Sequence, residues 1–128
     1  MAKTNFHENA WINHVLRNTP YTAPTTVYIA LLTAVTDVEG STFTEVSGGA
    51  YARQSVTFGA PSNGTASNTN TVTFPQATAN NGTVTHFAIM TASSAGNALY
   101  IAPVTTPFAY SLNVQPVFNP GTITVTEN

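Results

Sequence analysis

"SGGAYARQSVTFGAPSNG", residues 47–64, is the stretch whose reading decides the fold. Paired glycines ahead of an alternating run could cradle a ligand or could bend the backbone into a strand. Gly48 and Gly49 match neither G-x-G-x-x-G nor a phosphate loop ending in G-K-[ST]. A strand follows them, so no helix N-terminus is available to hold a phosphate. The stretch therefore reads as a bend, a strand over 51–58, and a turn at "PSNG". In that strand Ala52, Gln54, Val56 and Phe58 lie opposite Tyr51, Arg53, Ser55 and Thr57.

The same signature extends outward in both directions. "TTVYIALLTA" places Val27, Ile29 and Leu31 on one face and Tyr28, Ala30 and Leu32 on the other, as expected of a central strand covered on both sides. Residues 71–75 carry Val72 and Phe74 as a pair. Residues 84–91 set Phe87 and Ile89 against His86, Ala88 and Met90. Residues 98–102 set Leu99 and Ile101 against Tyr100. Residues 110–118 alternate Tyr110, Leu112, Val114 and Phe118, with Pro116 marking an edge or bulge, and 122–126 add Ile123 and Val125. "NNG", "SAGN" and "NPG" separate them as turns. The spacing predicts one domain over 1–128, mainly β: an antiparallel, jelly-roll-like β-sandwich.

The one expected helix covers about residues 5–18. Asn5 is placed to cap it, Glu8 to answer the cap's amide, and Arg17 to sit in the last turn. Trp11, Ile12, Val15 and Leu16 form a one-sided apolar stripe, expected to pack the helix on the sheet. Pro20 and Pro24 end it. Residues 34–50 read as a long acidic loop carrying Asp37, Glu39 and Glu45, a length that points to a contact role.

Composition narrows the function. Lys3, Arg17 and Arg53 are the only basic side chains, against five carboxylates, and charged residues are 6% of the chain. Three scattered cations cannot build a phosphate-neutralising face, so nucleic acid is not an expected partner. No apolar run is long enough for a helical membrane span. Polar residues interrupt the N-terminal segment, which does not read as the apolar core of a signal peptide; the expectation is a chain used without secretion. Low charge with abundant Thr, Asn and Ser suits either a Thr-rich β-protein or a surface that packs on protein neighbours.

Candidate chemistry is sparse. His7 and His14 lie seven apart on the helix, which does not make an i, i+4 metal pair, and His86 has neutral neighbours. "DVEGSTFTE" lacks the ligand order of a calcium loop. No G-x-S-x-G occurs and no carboxylate pair is marked for glycoside hydrolysis. The sequons at Asn63 and Asn81 read as turns. The tyrosines read as core or interface anchors before they read as a sugar platform. The expectation is a protein without catalytic residues, metal or cofactor.

"WINHVLRNTPYTAPTTVYIALLTA", "EVSGGAYARQSVTFGAPSNG" and "VTFPQATANNGTVTHFAIMTASSAGNALYIAPVTTP" together resemble a family of small virion proteins of tailed bacteriophages. The resemblance spans residues 11–107. Members carry labels of tail-fibre protein or of capsid decoration protein. After "TTP" the chain departs from the pattern: Phe108 and "YSLNVQPVFNPG" replace a lysine and a Gly-Asp turn, removing charge and adding apolar surface.

The resemblance implies, first, a capsid decoration (cement) protein. It would be assembled in the host cytoplasm, act as a homotrimer, bind the major capsid protein on the capsid surface of the virion, and stabilise the mature head by linkage. The alternative is a tail-fibre or tail-tip protein, with or without receptor-glycan binding. Interface candidates are Lys3 and Thr4 in the N-terminal arm, Asp37, Glu39, Phe43 and Glu45 in the 34–50 loop, and Arg53, Phe108 and Tyr110. Arg53 could fork onto Glu45, onto a neighbouring subunit's carboxylate, or stay exposed.

Overall fold

The computed structural model describes residues 1–39 and 41–127; Gly40, within the expected contact loop, and Asn128 lie outside the described residues. Strand β2 (Val27–Asp37) is the spine, as its two apolar faces require. It pairs antiparallel with β7 (Thr83–Met90), which pairs with β8 (Ala98–Ala109). On its other side β2 pairs at its start with β4 (Gln54–Val56) and towards its end with β3 (Thr42–Glu45). Strand β1 (Ala2–Lys3) adds to the free edge of β8, completing a six-stranded sheet.

Two short ribbons form the facing layer: β5 (Thr65–Ser67) with β10 (Thr124–Thr126), and β6 (Val72–Thr73) with β9 (Val117–Phe118). Ile29, Leu31, Phe87 and Ile89 from the sheet meet Val72, Phe74, Tyr110 and Ile123 in one buried cluster. Each such side chain contributes about 1.5–3 kcal/mol on burial, so this layer contact dominates stability. The fold is mainly β and antiparallel, with a sandwich-like arrangement of layers and one helix.

The opposite face of the sheet presents Ala30, Leu32, Ala88, Met90, Ala98 and Ile101. The helix was expected to cover it, but the β2–β3 hairpin does so, through Val35, Val38 and Phe43. Register shifts between Leu32 and Ala34 and between Val35 and Asp37 bend the hairpin, and alanines at 30, 88 and 98 leave space beneath it. Its turn reaches the helix, where the Asn5 amide donates to Glu39 O at 2.8 Å. About half of the long acidic loop expected over 34–50 is therefore strand, residues 34–37 and 42–45. Its alternation, with Phe43 packed and Thr42 and Thr44 exposed, is obscured in the sequence by the carboxylates around it.

Two other expectations change. Ala98 pairs with Met90 but Tyr100 pairs with Ile89, so Leu99 is a bulged extra residue and joins Tyr100 in the main core. The alternating run 110–118 is not one strand. A turn at Ser111–Val114 interrupts it, with Asn113 at φ 71°, and only Val117–Phe118 pairs.

Helix α1 (Asn5–Leu16) is shorter than expected and capped by Thr4, not Asn5. Pairing of β1 holds the chain extended through Thr4 (φ −84°, ψ 158°), which makes it the last non-helical residue. Its hydroxyl accepts from the His7 amide at 3.3 Å and donates to Ala98 O at 2.6 Å. Asn18 at φ 52° ends the helix, and the chain returns along it: Tyr21 packs edge-on to Phe6 and its amide donates to His14 Nδ1 at 3.1 Å.

Candidate interaction surface

The bend that opened the question is left-handed at three successive residues: Gly48 (φ 78°), Gly49 (φ 54°) and Ala50 (φ 68°). It swings Tyr51 under β2 against Phe74, with ring centroids 6.1 Å apart and nearly parallel. The Tyr51 hydroxyl accepts from the Leu31 amide at 3.1 Å and donates to Glu45 Oε2 at 2.5 Å.

Arg53 completes this group. Its Nε donates to Glu45 Oε2 at 2.9 Å and Nη2 to Oε1 at 2.8 Å, a bidentate fork. Nη1 donates to the carbonyls of Ala92 and Ala95 at 2.9 and 2.8 Å. Of the three readings open for Arg53, the pair with Glu45 is the one formed; with its side chain only 8% exposed, it is a clamp within the chain. Burial pushes the Glu45 carboxyl up, but the bonds from Arg53 and Tyr51 outweigh it and hold it below the ordinary carboxylate range. Burial, then the bond to Glu45, keeps the Tyr51 phenol protonated far above its usual range.

A second group fastens the N-terminal arm. Lys3 Nζ lies 2.7 Å from Glu127 Oε2, and Tyr100 donates to the other oxygen of Glu127. The His7 ring stands edge-on to Tyr100, centroids 4.8 Å apart, and its Nδ1 donates to Leu99 O at 3.4 Å. Burial lowers the His7 pKa more than that carbonyl raises it. Burial also raises Tyr100, with Glu127 adding to the effect.

Several interface candidates are thereby relocated. Thr4 and Tyr110 are both 0% exposed and present nothing to a partner. Thr4 is the helix cap, and the Tyr110 hydroxyl donates to Pro75 O at 2.5 Å inside the core. Lys3 belongs to a sheet edge, not to a free arm. Phe43 and Phe108 are half-buried against the two cores. Asp37 and Glu39 are exposed at the hairpin end, whose turn reaches the start of the helix through the Asn5 amide and Glu39 O. The nine candidates do not converge on one patch. Tyr28, Tyr51, Tyr100 and Tyr110 all pack into the cores, so they form no open platform. Among the described residues, no group of three or more His, Asp or Glu is placed to hold a metal ion, and no helix is long and apolar enough to cross a membrane.

Most of the large apolar side chains exposed among the described residues are on the helix. Trp11 is 56% exposed, Ile12 48%, Val15 52% and Leu16 76%. Sequence reading found this stripe but turned it inward. Phe6 is the helix's apolar contact with the main core, and the half-buried positions of the helix are Phe6, His7, Glu8, Ala10 and Asn13. Nothing in a helical pattern tells whether the surface that covers its apolar face belongs to the same chain.

No curated protein matches the chain. A family model does, over nearly all of it, and its description names a fibre protein, which fits the fibre reading better than capsid decoration. The chain belongs to the family described as podophage GP4 fiber I protein gp80, matched over residues 2–126, and is a structural component of a phage virion.

Proposed function

We propose that the chain is a structural subunit of a phage tail fibre and that its role is assembly and not catalysis. The observation that carries this reading is the fibre description of its family, matched across residues 2–126. The geometry agrees with it. Arg53, Glu45, Lys3 and Glu127 are engaged in pairs within the chain, while the helix offers a neutral apolar face. Such a division suits a module that is rigid by itself and joins others by apolar contact. Its partners are other virion proteins, including further copies of itself.

Copy number in purified virions, measured by quantitative mass spectrometry against the major capsid protein, tests the reading. A small number per particle, with antibody label at the tail, is the expected result. Copies approaching those of the shell subunit would overturn it in favour of capsid decoration.

A further inference from the structure

We propose that the cleft around Trp11 is a binding site for a neutral pyranose sugar. The exposed indole stacks on the C–H face of the ring, and side chains on either side bond its hydroxyls. Trp11 is 56% exposed and borders two cavities, which share it and His7. One, of about 480 Å³, is lined by Lys3, His7, Tyr100 and Glu127 as well as Trp11. The other, of about 260 Å³, runs along the helix from His7 past Trp11 to His14 and Tyr21. His7, Trp11 and His14 stand at i, i+4 and i+7, one face of α1, which sets both imidazoles beside the indole. Ile12, Val15 and Leu16 turn to a neighbouring face, so of the apolar stripe only Trp11 takes part. The larger cavity alone falls within the roughly 300–1,000 Å³ typical of small-molecule sites.

The polar groups select the ligand. Lys3 Nζ and Glu127 Oε2, 2.7 Å apart, put a cation and a carboxylate side by side, and 26% and 42% of these side chains remain exposed. Neighbouring hydroxyls of a pyranose are spaced similarly, and each both donates and accepts. One can accept from the ammonium while the next donates to the carboxylate. The two imidazoles repeat that pairing beside Trp11. His7 Nδ1 donates to Leu99 O, which leaves Nε2 as an acceptor. His14 Nδ1 accepts from the Tyr21 amide, which leaves Nε2–H as a donor. Charge excludes other ligands that an indole would stack. A nucleotide phosphate or an acidic sugar would bring its anion against Glu127, and the Lys3 ammonium that could offset it is already paired. The ammonium of an amino sugar would meet Lys3. A flat neutral base would use the indole but not the hydroxyl-spaced pair. The inference rests on this cleft alone and holds whether the protein sits on fibre or head.

Trp11 is the only tryptophan of the chain, so its fluorescence reports on this cleft. Titrating the full chain with the methyl glycosides of glucose, galactose, mannose and N-acetylglucosamine should give, for at least one of them, a saturable shift of the emission. N-acetylneuraminic acid and adenosine monophosphate should give none. Glu127→Gln should weaken binding of the responding sugar about tenfold, with an unchanged circular-dichroism spectrum. Saturation-transfer NMR does not depend on the indole, and in Trp11→Ala it should show the sugar signal lost. The proposal is overturned by the absence of a saturable response to all four glycosides, or by a response to the acidic sugar or the nucleotide alone. Sugar binding that survives Trp11→Ala, or an unaltered affinity in Glu127→Gln, overturns it as well. Copy number, which tests the fibre reading, is independent of either result.

Discussion

Arg53 grips Glu45 with two parallel hydrogen bonds, 2.9 Å from Nε and 2.8 Å from Nη2, and spends its remaining nitrogen on two backbone carbonyls across the β7–β8 turn. One side chain thereby ties β3, the segment leading into β4, and residues 92–95. Lysine has the charge but not the fork. Arg53→Lys should lower stability by about 1–2 kcal/mol, and Arg53→Ala by about 3 kcal/mol because it leaves a half-buried carboxylate unpaired. Urea unfolding followed by tryptophan fluorescence measures both. Equal, negligible losses would mean that the clamp is ornamental.

Acid should weaken the fold through the same group. Hydrogen bonds from Arg53 and Tyr51, prevailing over burial, hold the Glu45 carboxyl below its ordinary value of 4.5. A carboxyl depressed in the fold contributes stability above the unfolded value and loses it as pH falls through the folded one. Glu127 is lowered too: burial raises it, but Lys3 and Tyr100 outweigh that. The urea midpoint of the wild type should therefore fall below pH 4.5. Glu45→Gln, already weaker at neutral pH, should show a shallower fall. A parallel curve would assign the acid loss to other groups.

Two glycines with nearly the same dihedral give a matched comparison. Gly64 (φ 75°) and Gly121 (φ 80°) are both left-handed, but a Cβ at 64 would sit 2.7 Å from the Glu127 carbonyl while one at 121 meets open space. Gly121→Ala should cost about 1 kcal/mol, the backbone penalty alone. Gly64→Ala should cost more, since the Glu127 amide also donates to Gly64 O at 2.7 Å and the strand end must shift. Thermal melts of the two variants decide it, and equal losses would show that the C-terminal contact yields freely.

Thr4→Ala removes the helix cap and the hydroxyl bond to Ala98 O in one step. The expected loss is about 1–2 kcal/mol. Thr4→Ser keeps both bonds and should restore most of it, which hydrogen exchange at the His7 and Glu8 amides can follow.

Legibility varied with how local the deciding physics was. The two-faced β2 could be read because Val27–Leu32 alternate apolar side chains of unequal size, and the flanking turns announce themselves through Asn and Gly. The fork between Arg53 and Glu45 could be listed as one option, since a lone arginine near a lone carboxylate has few partners. Tyr110 was placed in an interface because the segment it opens adds apolar residues where the family pattern has charge, and nothing local to it shows that its ring is buried and its hydroxyl bonded to Pro75 O. Leu99 was placed on the wrong face because a bulge leaves no mark in alternation itself. Thr4 was missed because its capping role depends on a strand pairing with residues nearly a hundred positions away. The hydrophobic stripe was seen and misdirected, since a helical pattern marks an apolar face without saying what covers it.

The contact of Lys3 with Glu127 has a topological consequence. The described chain sets out and returns at one corner, both ends resting on β8 through Lys3 and Tyr100. A short linker could close it into a ring without crossing the sheet. New ends opened at the exposed Ser93–Gly96 turn would give a circular permutant with a different starting strand, but would loosen the Arg53 bonds to Ala92 O and Ala95 O. Any cargo joined next to Lys3 or Glu127 would therefore leave from that single corner.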